Sequence, residues 1–176
     1  MPEKRGPTVE TIPPGDNRSR LTCPDCGFVR YENPKIVVGA VCTWQDKVLL
    51  CRRAIPPQVG FWTIPAGFME MSETTAEGAV REVLEEAGAQ IEIGELIGIY
   101  DIPRISQVYV IYAARMTAGD VAAGIESQNV GLFAWDDVPW GEIAFPSITW
   151  ALKRFRGEPG PAFDRAPRTD LGLGRP

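Results

Sequence analysis

The stretch "GFMEMSETTAEGAVREVLEEAGA", residues 67–89, carries the strongest structural signal in the chain. It predicts a helix from about Thr74 to Ala87, because "TTAE" at 74–77 fits a capping box and Gly88 suits a C-terminal stop. The sharp turn "IPAG" leads into this stretch and can direct backbone carbonyl groups toward the start of the helix. We therefore expect one helix to follow directly after a tight turn.

Three glutamates, Glu82, Glu85 and Glu86, lie at positions i, i+3 and i+4 of the predicted helix. Like charges at this spacing are neighbours on a helix surface and repel one another. The sequence offers little compensation, because residues 54–103 contain nine acidic residues and one basic residue, Arg81. This nearly unpaired negative charge requires an explanation.

A helical projection with about 100° per residue separates the two faces of this helix. Val80, Val83, Leu84 and Ala87 fall on one face, and the three glutamates fall on the opposite face. We expect the apolar face to pack against a sheet and the acidic face to point outward. A solvated helix face is one interpretation of such a charge run. A Mg²⁺ site is the other, since carboxylate and carbonyl oxygens are the ligands of that ion.

Composition limits the classes of protein to which the chain can belong. Its 176 residues are 44% hydrophobic and 23% charged, which is typical of one soluble domain. A net charge of −5 argues against a nucleic-acid backbone or an anionic membrane as the main partner. No apolar run reaches the roughly 18 residues of a membrane helix, no secretory signal is visible, and four cysteines fit a reducing cytoplasm. The absence of histidine excludes Ser-His-Asp and Cys-His catalysis, so carboxylates, a metal or both must carry any chemistry.

The order of predicted elements indicates an α/β protein with four segments. Residues 1–20 are predicted to be mobile, 21–34 form a compact CxxC segment, 35–156 form the main domain, and 157–176 form a disordered Gly/Pro-rich tail. The predicted elements of the main domain are a hairpin in "KIVVGAVCTWQDKVLLCRRA", a strand in "FWTIPAG", the helix, strands in "AQIEIGELIGIYDI" and "RISQVYVIYAARM", a loop in "GDVAAGIESQNV", a strand in "GLFAWDDVPW" and a helix in "AFPSITWALKRFR".

The pattern from residue 67 onward resembles the Nudix box, G-x5-E-x7-R-E-U-x-E-E-x-G-U, in which U is an aliphatic residue. The matching residues are Gly67, Glu73, Arg81, Glu82, Val83, Glu85, Glu86 and Gly88, and Ala89 stands at the last U. The resemblance covers about residues 21–155 and is closest to Nudix enzymes that cleave ADP-ribose and FAD, notably the plant type with an N-terminal zinc-ribbon-like segment. The shared stretches are "NPKIVVG", "VLLCRR", "GFWTIPAG", "DIP", "YVI", "ES", "LFA", "VP" and "AFPSI".

The resemblance implies an α/β/α sandwich around a mixed β-sheet, preceded by a short ribbon-like segment. It also implies Mg²⁺- or Mn²⁺-dependent hydrolysis of a nucleoside diphosphate that is linked to another group. The metal ligands that it implies are Glu82, Glu85, Glu86 and the carbonyl group of Ala66 or Gly67. Arg81 and Glu73 would pair and orient Glu82, and the alternative is an ordinary surface ion pair worth under about 1 kcal/mol.

Hydrolysis of a diphosphate requires an activated water molecule, and a metal lowers the pKa of bound water and neutralises the phosphates. A carboxylate can then accept the proton. Glu126, in "GIESQ", is a candidate for this base or for a further metal ligand. A solvated loop acid is the alternative interpretation of this residue.

Arginine and aromatic residues are candidates for substrate contacts. Strand alternation allows only one of Arg52 and Arg53 to face the site easily, and we favour Arg52 for a phosphate contact. Either arginine is alternatively a solubility charge on an edge strand. The candidates for stacking on adenine or flavin are Phe28, Phe61, Trp62 and Tyr100, for which core packing is the alternative. The residues expected in the core or an interface are Trp44, Trp135 and Trp150.

Cys23 and Cys26, in "CPDCG", have the spacing of a zinc knuckle, but a structural zinc site needs four ligands. Cys42 and Cys51 lie in apolar strands, so we interpret them as buried free thiols. The related enzymes carry an earlier CxxC that this sequence lacks. Three interpretations stay open: the zinc is lost, the recorded start lies too far downstream, or two chains each donate a pair.

The leading hypothesis is a metal-dependent diphosphatase, a cytoplasmic homodimer that acts on a small nucleotide, either ADP-ribose or FAD. Cleavage of NADH or a nucleoside triphosphate is the nearest alternative. The NADH-cleaving relatives carry "SQPWPFPxS", whereas "RISQVYVIY" shares only its "SQ". A non-catalytic Nudix domain that binds a nucleotide or nucleic acid is an alternative of another class. The intact acidic set and a pI near 4.9 argue against it.

Overall fold

The structure is a computed structural model that describes residues 6–158 and the backbone of residues 163–165. The chain forms two compact units, Met1–Pro34 and Lys35–Pro176. None of the helices in the described part of the chain has the length and hydropathy that a membrane crossing requires.

The N-terminal unit contains a small antiparallel sheet. Its strands are β1 (Val9–Thr11), β2 (Arg20–Thr22) and β3 (Val29–Arg30), with β2 in the middle. The sequence analysis predicted a mobile segment over residues 1–20, and this prediction is corrected for β1, because β1 pairs with β2. The CxxC motif lies in the turn between β2 and β3.

The main unit is built around an eight-stranded sheet. Its strands are β4 (Lys35–Trp44), β5 (Lys47–Arg53), β6 (Trp62–Thr63), β7 (Ala66–Phe68), β8 (Ile91–Ile102), β9 (Gln107–Met116), β10 (Ser127–Ala134) and β11 (Phe163–Arg165). The order across the sheet is β10-β5-β4-β9-β8-β11, with β6 paired to β5 and β7 paired to β4. Strands β4 and β9 run parallel and β8 and β9 run antiparallel, so the sheet is mixed, as predicted.

One helix covers each face of this sheet. The helices are α1 (Thr75–Ala87) and α2 (Pro146–Phe155). Ala40 and Cys42 of β4 join the core under α1, whereas Val37 and Val41 of the same strand join the core under α2. Successive side chains of a strand point to opposite faces of a sheet, so the helices lie on opposite sides. This arrangement confirms the expected α/β/α sandwich.

Both ends of α1 follow from the sequence signals. The Thr74 side chain accepts a hydrogen bond from the Glu77 N–H, and the Glu77 carboxylate accepts one from the Thr74 N–H, which completes the capping box. Gly88 ends the helix in the left-handed conformation, with φ of 61°, and its N–H donates to the Leu84 carbonyl. The predicted bounds of this helix are confirmed.

Three element predictions are corrected. The segment 61–67 forms two short strands rather than one, because β6 pairs with β5 and β7 pairs with β4. The predicted loop 119–130 is shorter, since residues 127–130 belong to β10. The predicted disordered tail 157–176 contains β11, which pairs with β8, and residues 159–162 and 166–176 lie outside the described part.

The three tryptophans that the sequence assigned to the core or an interface lie in the core. Trp135 and Trp150 pack against the core under α2, and Trp44 packs against the core under α1. Trp135 stacks on Phe155, with ring centroids 5.7 Å apart. Large aromatic side chains therefore support both helices.

Candidate active site

A cavity of about 720 Å³ opens in the main unit beside α1. The charged residues on its walls include Arg53, Arg81, Glu82, Glu85, Glu86 and Glu126. The apolar and aromatic residues that line it include Phe68, Tyr109, Ile125 and Phe145. The structure therefore brings the glutamates of the box and the more distant Glu126 around one space.

The glutamates of α1 are placed differently from the helical projection. Glu82 and Glu86 are only 8% and 7% exposed, whereas Leu84 is 53% exposed. The packed face of the helix includes Val83 and borders on both of these glutamates. The expectation that the acidic face points outward is therefore wrong for Glu82 and Glu86, and it holds for Glu85, which is exposed.

Strand β7 gives the two buried glutamates their positions. A Cβ atom at residue 67 would overlap the Glu82 carboxylate, so Gly67 makes the room that this carboxylate occupies. The Ala66 N–H donates to Glu86 Oε2 at 3.1 Å. Ala66 and Gly67 both line the cavity, and a metal contact from either carbonyl group stays a prediction.

Arg81 connects four partners on the cavity wall. Its Nε and Nη2 donate to Glu73 Oε2 and Oε1 at 3.0 and 2.8 Å, which is a bidentate pair. Its Nη1 donates to Glu82 Oε1 at 2.7 Å and to Glu85 Oε2 at 3.0 Å. Its Nη2 also donates to the Phe68 carbonyl at 3.0 Å. The expected Arg81–Glu73 pair is thus present and contacts Glu82 directly.

The two ends of this ion-pair network differ in proton affinity. The Arg81 guanidinium and the Glu70 N–H lower the pKa of Glu73 to about 2, so Glu73 is ionised at neutral pH. Burial raises the pKa of Glu82, against the opposing effect of Arg81. The network therefore fixes Arg81 firmly on Glu73 while it holds Glu82 in a poorly solvated position.

Glu86 is the carboxylate with the most strongly raised pKa at the site. Burial raises its pKa to about 7, and the negative charges of Glu82 and Glu126 act in the same direction. The Ala66 N–H and the Arg53 guanidinium oppose this rise only in part. A buried carboxylate beside two others is stabilised in its ionised form by a bound cation.

Glu126 lies on the cavity wall, at the last residue before β10. Its backbone carbonyl accepts a hydrogen bond from the Ala54 N–H at 2.8 Å, which fixes this end of the loop to the end of β5. Its charge contributes to the raised pKa values of Glu82 and Glu86. The structure thus brings Glu126 to the box glutamates, and its role as base or metal ligand stays a prediction.

The favoured arginine is corrected. Arg52 does not line the cavity, and its Nε donates to the Gly60 carbonyl at 2.8 Å. Arg53 lines the cavity, and its Nε donates to the Pro57 carbonyl at 2.7 Å. The Arg53 Cζ atom also lies 5.2 Å from the centroid of the Phe145 ring. Strand alternation predicted that only one of the pair faces the site, but not which one.

The expected stacking residues of the main unit do not line the cavity. Tyr100 is fully buried, Trp62 packs edge-on against Phe133 with centroids 4.9 Å apart, and Phe61 is 37% exposed elsewhere. Tyr100 and Trp62 therefore follow the packing alternative, whereas a substrate contact of Phe61 stays a prediction. Phe28 belongs to the N-terminal unit and is 60% exposed.

Three other aromatic residues line the cavity and were missed by the sequence analysis, namely Phe68, Tyr109 and Phe145. Phe68 is 48% exposed, and the Lys35 ammonium lies 4.9 Å from the centroid of its ring. Signals for all three existed, because Phe68 directly follows Gly67 in the box, Tyr109 begins "YVI", and Phe145 stands in "AFPSI".

The carboxylates fit a divalent cation in their chemistry, although they are not arranged as a finished ligand set. Within residues 6–158, no group of three or more His, Cys, Asp or Glu side chains is placed to hold a metal ion. Two of the carboxylates, those of Glu82 and Glu85, each accept a hydrogen bond from Arg81 Nη1. The residues that suit a hard cation are Glu82, Glu85 and Glu86, since all their donor atoms are oxygen.

The cysteines do not fit a structural zinc site within one chain. Cys23 is buried and Cys26 is exposed, and the Cys23 N–H donates to the Phe28 carbonyl at 2.8 Å. Cys42 and Cys51 are buried free thiols of the main core, as expected, and burial raises their pKa values. The sequence has no histidine, so the CxxC turn offers two ligands where a tetrahedral site needs four.

Comparison with protein families gives the assignment. A family model described as NUDIX domain matches residues 33–151, and a second model, described as Nudix N-terminal, matches residues 6–32. The chain belongs to the Nudix hydrolase family. The first match includes the box, Arg53 and Glu126, and the second includes the CxxC turn. The expectation of a Nudix pyrophosphatase with a zinc-ribbon-like N-terminal segment is confirmed at the level of the family.

Individual Nudix relatives agree with this assignment. The chain is 29% identical over 119 residues to an ADP-ribose pyrophosphatase of Methanocaldococcus jannaschii. This match covers 65% of the present chain and 69% of the relative. It is 30% identical over 129 residues to the NAD-capped RNA hydrolase NudC of Pseudomonas aeruginosa. This match covers 70% of the present chain and 45% of NudC. A crystal structure of a Nudix hydrolase from Nitrosomonas europaea is 45% identical, with a TM-score of 0.82, and covers 90% of this chain and 93% of that one. This chain thus spans less than half the length of the NudC relative.

Proposed function

We propose that this Nudix hydrolase cleaves the diphosphate linkage of ADP-ribose or FAD, with Mg²⁺ or Mn²⁺ as its cofactor. The products are AMP and either ribose 5-phosphate or FMN. The observation that carries the proposal is the pair of buried glutamates, Glu82 and Glu86, which lies next to the Arg81–Glu73 pair on the wall of a large cavity. Two relatives, from Methanocaldococcus jannaschii and Bacillus subtilis, are named as ADP-ribose pyrophosphatases, which supports the choice of substrate.

The residues that would hold the metal are Glu82, Glu85 and Glu86, with a carbonyl group of Ala66 or Gly67. A bound divalent cation neutralises the phosphates and lowers the pKa of the attacking water. The high pKa of Glu86 follows mainly from its burial, with a contribution from its acidic neighbours, and a cation at this position would keep Glu86 ionised.

The remaining residues fix a metal ligand, accept a proton from the attacking water and bind the substrate. Arg81, anchored on Glu73, donates to Glu82 Oε1 and fixes that carboxylate. Glu126 accepts the proton of the attacking water, whose oxygen forms a bond to one phosphorus while the bridging oxygen leaves on the other. Arg53 contacts a phosphoryl group, since a guanidinium is well suited to bidentate phosphate binding.

The size and polarity of the cavity suit a dinucleotide-like substrate. Its volume of about 720 Å³ lies within the usual range for small-molecule sites. Phe68 and Phe145 present aromatic surface in the cavity lining, and Ile125, which also lines the cavity, is 98% exposed. We infer that the adenine or flavin ring rests on one of these aromatic residues.

A hydrolysis screen tests this function against its alternatives. FAD, ADP-ribose, NADH and deoxynucleoside triphosphates are each incubated with the protein and Mg²⁺ or Mn²⁺, and the products are separated by chromatography. We expect ADP-ribose or FAD to have the highest kcat/KM. A preference for NADH or a triphosphate would contradict the choice of substrate, and no hydrolysis of any of them would favour a nucleotide-binding regulator. A cytoplasmic homodimer without a nucleic-acid or membrane partner also stays a prediction.

A further inference from the structure

The loop that precedes β10 is fastened to the C-terminal end of α1 by backbone hydrogen bonds. The Ala122 N–H donates to the Ala87 carbonyl at 2.8 Å, and the Gly124 N–H donates to the Glu86 carbonyl at 3.1 Å. The last carbonyl groups of a helix have no partner inside the helix, so this loop satisfies two of them. The loop therefore lies directly on the helix that carries the box glutamates.

Gly124 lies so close to α1 that a side chain does not fit there. A Cβ atom at residue 124 would overlap the Glu85 carbonyl oxygen and would lie 3.3 Å from the Glu86 Cα atom. Both atoms belong to the helix backbone, so they cannot move aside as the end of a flexible side chain can. Gly124 does not have a positive φ, so the position requires the missing side chain rather than an unusual backbone conformation.

Gly124 also begins the turn that carries Glu126. The Ser127 N–H donates to the Gly124 carbonyl at 3.1 Å, which closes a turn of four residues. The two central residues of this turn, Ile125 and Glu126, both line the cavity. The Glu126 carbonyl accepts a hydrogen bond from the Ala54 N–H at 2.8 Å. The turn is thus held by α1 at its start and by the segment after β5 at its end, which fixes the place from which the Glu126 side chain enters the cavity.

We propose that Gly124 is a positioning residue for Glu126. Its missing side chain lets the turn dock on the last turn of α1, which also carries Glu86, and this docking sets the place of the Glu126 carboxylate relative to the buried glutamates. The inference rests on the proposed function for the chemical role of Glu126. A shift of about 1 Å at a reacting group can cost on the order of a hundredfold in rate, so a methyl group at residue 124 should reduce turnover.

Amide hydrogen exchange tests the docking without any turnover. In the wild-type protein, the N–H groups of Ala54, Ala122 and Gly124 should be protected, because each donates to a carbonyl group. In Gly124→Ala we expect exchange at these positions to become about tenfold faster or more. Gly141→Ala is the matched control, because a Cβ atom at residue 141 meets no other atom within 4 Å, and it should exchange like the wild type. Unchanged exchange at all three positions in Gly124→Ala would overturn the proposal.

A double-mutant cycle separates positioning from a structural role. Gly124→Ala should lower kcat about tenfold or more with a modest change in KM, whereas Gly141→Ala should keep the wild-type kcat. In a Glu126→Gln background, the substitution at residue 124 should change kcat less than about twofold, because the carboxylate that it displaces is already gone. Equal effects in both backgrounds, including no effect in either, would assign Gly124 to the fold and overturn the proposal.

Stability measurements complete the test. Circular dichroism and denaturant unfolding show whether each variant folds. If Gly124→Ala does not fold, Ala122→Pro carries both measurements, because it removes the N–H that donates to the Ala87 carbonyl, and we expect the same pattern with a smaller loss. A wild-type protein that hydrolyses neither ADP-ribose nor FAD would reject the proposed function, and the exchange pattern alone would then decide whether Gly124 docks the turn.

Discussion

Gly67 and Arg81 explain at the scale of single residues why the acidic set is tolerated. The missing side chain of Gly67 makes room for the Glu82 carboxylate, and Arg81 binds Glu73, Glu82 and Glu85 together. The sequence identified these residues through their spacing. It misplaced Glu82 because a helical projection gives angles around the helix axis but does not show how far the packed face extends.

Glu126 is the residue whose role the geometry leaves most open to experiment. Glu126→Gln keeps the size of the side chain and removes its capacity to accept a proton. We expect kcat to fall by roughly a hundredfold or more, with a modest change in KM, because a base acts in the transition state. A loss of under about threefold in steady-state kinetics would show that Glu126 is a solvated loop acid.

The raised pKa of Glu86 predicts how the stability of the metal-free protein depends on pH. Its pKa is about 7 in the folded protein against an ordinary value of 4.5, so the folded state holds this proton more tightly than the unfolded state. The stabilisation is complete below about pH 4.5 and is lost as pH rises through about 7. Urea unfolding in a chelator should show a free energy of unfolding that falls over this window, and a smaller fall in Glu86→Gln. Equal slopes for both proteins would contradict this account, and added Mg²⁺ should offset the fall by binding the ionised form.

Helix α1 shows at the scale of elements which bounds are set by local sequence. The capping box and Gly88 marked its ends correctly because both signals act within one turn. The two short strands β6 and β7 were merged in the prediction, since each is defined by a different distant partner strand. The sequence also could not show which of Arg52 and Arg53 faces the cavity, because the direction of the Arg53 side chain depends on where β5 ends in the sheet.

Removal of the helix cap should affect stability more than chemistry. Thr74→Ala loses the hydroxyl that accepts the Glu77 N–H, and we expect a decrease of about 1 kcal/mol in the free energy of unfolding. Thr74→Ser retains the cap and is the matched control. Denaturant titration measures the difference, and a wild-type value for Thr74→Ala would show that tertiary packing alone sets the start of α1.

The whole molecule combines a fold that was predictable with a cavity that was only partly so. The box resemblance predicted the sandwich, three of the cavity glutamates and their partners Arg81 and Glu73, because the family pattern encodes them locally. The aromatic residues of the cavity were missed, since Phe68, Tyr109 and Phe145 come from three separate elements that meet only in the folded unit.

The CxxC turn gives a prediction for the purified protein as a whole. One chain offers Cys23 and Cys26 in a turn but no further pair in that unit, so zinc should be absent, substoichiometric or shared at about one ion per two chains. Elemental analysis, with the molecular mass in solution measured before and after a chelator, separates these cases. One tightly bound zinc ion per monomer would contradict the assignment of Cys42 and Cys51 as core thiols.

The most direct measurement of the central claim is the turnover of Glu82→Gln at saturating Mg²⁺. This substitution keeps the shape of a buried carboxylate that contacts Arg81 and removes its charge. The account predicts a loss in kcat on the order of a hundredfold to a thousandfold, because the group that would position the metal is lost. Circular dichroism and denaturant unfolding should show that the variant is folded. Near-normal turnover of Glu82→Gln would contradict the assignment of the buried glutamates as the metal site of this Nudix hydrolase.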